Sequence, residues 1–130
     1  MKRTRIPIGA LIGVLLLPLV ASAASLTTID GTQLQTLMAD GSSLRIVDVR
    51  EPELYVEGHI EGAINMPYDE AKSRILKELF PNERIVFVCH GGPMGDELGR
   101  LLAAKGYPSV YNLKGGMKRW AGPVVRSSVR

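Results

Sequence analysis

At 130 residues and 14.1 kDa the chain is long enough for one globular domain and too short for two. Its 45% hydrophobic and 22% charged residues are the composition of a folding protein, which excludes a disordered or fibrous chain. The net charge of +3 sits outside the domain: Lys2, Arg3 and Arg5 open the chain, and from residue 24 onward thirteen Lys and Arg face thirteen Asp and Glu, so bulk charge supports no nucleic-acid binding.

The first element is a leader. Met1 to Arg5 is basic, residues 6–20 are almost uninterruptedly apolar, and Ala21-Ser22-Ala23 has the small-x-small pattern of a signal-peptidase site. An apolar run of about 15 residues is short of the roughly 20 that span a bilayer as a helix. The expectation is therefore a cleaved signal peptide over 1–23 and a single domain over 24–130. It would be periplasmic or secreted, with no membrane attachment after cleavage. No cysteine lies near the cut, which removes a lipid anchor.

Beyond the leader, strands and helices alternate. Thr32 and Gln35 are spaced as a capping box for a helix carrying Leu34, Leu37 and Met38 on one face, with Gly41 beyond its end. Leu44 to Val49 reads as a buried strand and Ala63 to Met66 as a second, ended by Pro67. Asp69 is placed to cap a helix whose apolar residues Ile75, Leu76, Leu79 and Phe80 recur at helical spacing until Pro81. Arg84 to Val88 is the strongest strand signal and runs into Cys89. A glycine-rich loop follows, then a helix with Leu98, Leu101 and Leu102 on one face that stops at Gly106. Gly99 within it is unfavourable by about 1 kcal/mol relative to Ala, which close packing against the sheet would explain. Val110 and Tyr111 supply a last strand, and Gly115-Gly116 opens a short helix toward Trp120. Strands separated by helices predict a parallel α/β sheet.

Cys89 is the sole cysteine, so it forms no internal disulfide even in an oxidising compartment. One reading is a small buried hydrophobe. The other is a reactive thiol, because in parallel α/β sheets ligands bind at the carboxyl ends of strands. The loop His90-Gly91-Gly92-Pro93-Met94-Gly95 and the helix start behind it can turn backbone N–H groups and a positive dipole end toward the sulfur, favouring the thiolate.

Two further stretches carry a family resemblance. Asp48-Val49-Arg50-Glu51 followed by Glu53-x-Tyr55-x-x-Gly58-His59-Ile60-x-Gly62-Ala63-Ile64-Asn65 resembles the first signature of the rhodanese family, and Leu113-Lys114-Gly115-Gly116, Trp120 and Ala121-Gly122-Pro123-Val124 resemble its last. The likeness spans residues 27–125 and is greatest to small exported single-domain thiosulfate sulfurtransferases. It implies a five-stranded parallel sheet flanked by helices on both faces, with Cys89 as nucleophile. The implied cycle takes sulfane sulfur from a small-molecule donor such as thiosulfate into a Cys89 persulfide, then passes it to cyanide, a thiol or a protein acceptor. The backbone amides of His90, Gly91, Gly92, Met94 and Gly95 would hold the persulfide. No metal or organic cofactor is implied, and His59, His90 and Cys89 fit no metal-ligand spacing.

Met94 stands where many members of that family carry Arg, Pro93 removes one amide donor, and Asp96 and Glu97 repel an incoming dianion. Arg50 either pairs with Asp48 or supplies the missing positive charge. His59 is expected to hold its loop through a ring hydrogen bond, and His90, beside the nucleophile, to meet substrate. Two other functions compete: a non-catalytic rhodanese-like binding module, which the missing cation favours, and phosphatase or arsenate-reductase chemistry. The latter needs an Arg to clamp a tetrahedral oxyanion, and Met94 argues against it.

Overall fold

A computed structural model describes residues 1–5, 7–10, 12–18 and 24–127. The expected cleavage site at Ala21-Ser22-Ala23 lies outside the described residues; those described before it are exposed and without regular secondary structure. No helix among the described residues is long and apolar enough to cross a membrane.

The domain is built from β1 (Leu26–Ile29), α1 (Gly31–Ala39), β2 (Arg45–Asp48), α2 (Pro52–Glu57), β3 (Ile64–Asn65), α3 (Tyr68–Glu78), β4 (Ile85–Val88), α4 (Pro93–Ala104), β5 (Val110–Leu113) and α5 (Gly116–Arg119). The five strands form one parallel sheet in the order β1-β5-β4-β2-β3. Alternation along the central strand divides the core in two. Ile85, Phe87 and Cys89 pack with Ala71, Ile75 and Leu79 of the α3 region and with Leu98 and Leu102 of α4. Val86 and Val88 point the other way, into Leu34, Ile46, Ile60 and Leu113 with Tyr55 and Trp120 at the rim. Burial of each large aliphatic or aromatic side chain here contributes about 1.5–3 kcal/mol.

Several local expectations are corrected. The capping box forms two residues before Thr32 and Gln35: the Asp30 carboxylate accepts from the Gln33 amide at 2.8 Å while the Gln33 side chain accepts from the Asp30 amide. Asp69 does not cap α3; Pro67 holds that position and Asp69 lies in the first turn, where it meets only the helix dipole. Leu76 and Leu101 are exposed, because each helix buries a narrower stripe than its apolar residues describe, and Phe80 is exposed because α3 ends at Glu78, before the residues expected to continue it to Pro81. Strand β1 and helix α2 are additional elements. Gly99 is explained: a Cβ there would lie 2.5 Å from Leu26 Cδ1, so α4 rests directly on β1.

Candidate active site

The loop from Cys89 to Gly95 leaves the carboxyl end of β4, the central strand, between the chain ends of its neighbours β2 and β5. From β2, the Val49 amide donates to Val88 O at 2.9 Å, and the Met66 and Tyr68 amides donate to Asp48 O and Val49 O. From β5, the chain turns through Gly115 and Gly116 into α5, whose Met117 and Lys118 amides donate to the carbonyls of Cys89 and His90 at 2.8 and 3.0 Å. Gly116 has φ +56°, and a Cβ there would lie 2.2 Å from Cys89 O. Only glycine allows this approach.

With two loop carbonyls thus engaged from outside, the loop amides face other partners. Gly92, at φ +118°, donates its N–H to Cys89 Sγ at 2.9 Å. The amides of His90, Gly91, Met94 and Gly95 meet no protein acceptor among the described residues. Met94 and Gly95 belong to the first turn of α4, where N–H groups have no partner within the helix. Pro93 is the first residue of that helix, a position whose N–H would be unpaired in any residue, so it removes no structural bond. The arrangement suits an anion carried on sulfur: one donor contacts Sγ, and the same loop holds further amides with no acceptor among the described residues. Cys89 itself is 1% exposed, whereas His90, Gly91 and Met94 at the loop rim are exposed.

Arg50 does not serve as the loop's cation. It is buried and bound twice to the Asp48 carboxylate, Nη2 to Oδ2 at 2.7 Å and Nε to Oδ1 at 3.0 Å, and Nη2 also donates to Gly58 O at 2.8 Å. The structural ion pair is the outcome. His59 is structural as expected: its Nδ1 lies 2.7 Å from Tyr55 O, its ring stacks on Tyr55, and its backbone pairs with Val125. The carboxylates that oppose a dianion are partnered. Asp96 accepts from Arg100 Nε at 2.8 Å; Glu97 accepts from the Tyr68 hydroxyl and pairs with Lys72 at 3.0 Å. The Tyr68 hydroxyl, then Lys72, lowers the Glu97 carboxyl below its ordinary range.

Beside the loop a cleft of about 170 Å³ is lined by Met94, Val49, Tyr68 and the carboxylates Glu51, Glu53 and Asp69. A larger cleft, about 250 Å³, lies at the opposite ends of the strands, and its Arg45 and Arg84 are already paired with Glu83 and Asp40. No group of three metal-ligating side chains occurs among the described residues. The site residue missed from sequence is Asn112, buried in β5 and bonded to the loop. A polar side chain on the buried phase of a strand was its available signal.

Comparison with known proteins bears on the whole arrangement. A family model described as the rhodanese-like domain matches residues 30–123. The thiosulfate sulfurtransferase PspE of Escherichia coli is 37% identical over 81 residues, covering 62% of this chain and 77% of that protein. The thiosulfate sulfurtransferase GlpE of Shewanella oneidensis is 30% identical over 83 residues, covering 64% and 81%. Two Bacillus subtilis relatives are 33% and 34% identical, and the match spans 54% and 63% of their lengths. Among solved structures, a rhodanese-like domain protein from Staphylococcus aureus superposes with a TM-score of 0.69 at 28% identity, covering 78% of this chain and 99% of that one. The five-stranded parallel sheet, the domain match and these relatives agree: the chain belongs to the rhodanese-like family, which includes thiosulfate sulfurtransferases.

Proposed function

We propose that this protein is an extracytoplasmic sulfurtransferase that carries sulfane sulfur on Cys89 from a donor such as thiosulfate to a thiophilic acceptor. The observation that carries the reading is the Gly92 N–H directed at Cys89 Sγ, in a loop whose four other amides meet no acceptor among the described residues. In the first step the Cys89 thiolate attacks the outer sulfur of thiosulfate, and the S–S bond breaks with its electron pair leaving on sulfite. In the second, cyanide or a thiolate attacks the terminal persulfide sulfur, releasing thiocyanate or a new persulfide and restoring the Cys89 thiolate. Splitting the transfer into two displacements at sulfur is the advantage of the covalent intermediate. The preset amides stabilise negative charge on the terminal sulfur without reorganising at each turnover. The basic start, the apolar run and Ala21-Ser22-Ala23 support export, with Ala24 as the expected mature N-terminus.

Intact mass before and after thiosulfate tests the chemistry. The wild type should gain one sulfur, about 32 Da, and cyanide should remove it as thiocyanate, while Cys89→Ser should do neither. The locking of Arg50 onto Asp48 favours the second reading, a silent binding module, since it leaves the loop without a cation. Absence of persulfide with thiosulfate and with other sulfane donors would establish that reading. N-terminal sequencing that found Met1 on membrane-bound protein would refute export.

A further inference from the structure

We propose that Asn112 is a positioning residue for the Cys89 loop: its amide fixes the Gly92 carbonyl and thereby aims the Gly92 N–H at the sulfur. The inference rests on Cys89 being the reacting group.

Asn112 pairs across the sheet with Phe87, two residues before Cys89, and is 4% exposed. A primary amide in such a place is unfavourable unless bonded, and a β-branched residue would suit the strand better. Its Nδ2 donates to Gly92 O at 3.0 Å, while its Oδ1 is buried with no hydrogen-bond partner among the described residues. That oxygen faces Gly95, where a Cβ would lie 2.2 Å from it, so the glycine hydrogen is all that fits between helix and strand. The side chain thus forgoes half its bonding capacity to hold one carbonyl. Gly92 O accepts from Asn112 Nδ2 and from the Asp96 amide, both at 3.0 Å. Gly92 combines φ +118° with ψ −38° and is followed by Pro93, whose nitrogen carries no hydrogen to anchor that peptide. The carbonyl's two acceptor bonds therefore set the Gly92 backbone, and the backbone sets where its N–H points. Without Asn112 only the Asp96 amide holds that carbonyl, and the aim of the Gly92 N–H at Sγ loosens.

The test is iodoacetamide alkylation of Cys89 against pH in the full chain, with urea unfolding as a stability control. Asn112→Ala is compared with Leu113→Ala, which removes the neighbouring buried side chain on the opposite face of the sheet. Both variants should lose stability. Only Asn112→Ala should slow alkylation near neutrality, about tenfold, with the difference from wild type vanishing at high pH. An unchanged Asn112→Ala rate near neutrality, or an equal slowing in Leu113→Ala, overturns the proposal. Should Asn112→Ala fail to fold, hydrogen exchange of the wild-type Asn112 side-chain amide decides: slow exchange is expected, and exchange at the rate of a free amide overturns it. No sulfur donor is used, so a protein that passes this test yet takes up no sulfane sulfur fails the sulfurtransferase reading and leaves the positioning role standing.

Discussion

Replacing Gly116 by alanine probes how the end of β5 holds the cysteine loop. Alanine at φ +56° is unfavourable by about 1–2 kcal/mol from backbone sterics alone. Its Cβ would lie 2.2 Å from Cys89 O and 2.7 Å from His90 O, and both are backbone atoms that cannot swing aside. Relief requires α5 to withdraw from the loop, breaking the Met117 and Lys118 amide bonds to those carbonyls. Each such bond contributes about 0.5–1.5 kcal/mol, so the whole effect is about 2–5 kcal/mol. Gly106→Ala is the control, since Gly106 also has positive φ, +87°, but open space at its Cβ. It should lose only the backbone part. Urea unfolding reads both: with an m-value of about 1–3 kcal/mol per molar and unchanged slope, Gly116→Ala should unfold at a urea midpoint roughly 0.3–3 M below Gly106→Ala. Equal midpoints for the two variants would show that the contact with the Cys89 and His90 carbonyls is not under compression and does not brace the loop.

Three other outcomes are expected. Met94→Arg, at a 41% exposed rim position, should raise kcat/KM for thiosulfate roughly fivefold at low salt and lose the gain at high salt; no change at low salt would mean that charge there is not limiting. Arg84→Gln should lower Tm at neutral pH by a small, salt-sensitive amount. Hydrogen bonds from Arg84, then Ser42, hold the Asp40 carboxyl well below its ordinary 3.8, so this stabilisation is fully present above that value and is lost progressively below it, as pH falls toward the lowered folded value. A Tm difference that stays constant down to about pH 2 would contradict that origin. Arg50→Gln leaves the buried Asp48 carboxylate unpaired and should destabilise by about 3–5 kcal/mol, with part recovered in Asp48→Asn/Arg50→Gln; an effect under 1 kcal/mol in denaturant would show that Asp48 finds other partners.

Strands buried on both faces announce themselves, and β4 was legible for that reason: Ile85 to Val88 are all buried. Strand β1 was not, because Thr27 and Thr28 are exposed and only Ile29 is fully buried at this sheet edge. Helix α2 has six residues, no side-chain cap and no buried residue, so neither periodicity nor capping marks it. The helices α3 and α4 were legible, but Leu76 and Leu101 show that apolar spacing overstates the buried face. At the site, Cys89 and its glycines stood out because loop chemistry is local in sequence. The Asp48–Arg50 pair, two residues apart, was equally visible. Asn112 was hidden: the contact that gives it a role spans twenty residues and exists only once β5 lies beside β4.

The sheet order has a consequence for when the domain can form. Strand β1, the first of the domain, pairs with β5, the last, in register from Leu26↔Val110 to Ile29↔Leu113. A nascent chain still lacking β5 has no partner for β1 and leaves one edge of β4 open, so the sheet cannot close until the domain has been synthesised almost to its end. Closing so long a segment delays folding relative to local contacts. Under the export proposed above, this late closure would hold the polypeptide threadable during synthesis. It also makes the final strand indispensable: truncation before Val110 would strand β1 and expose a fully apolar central strand to aggregation.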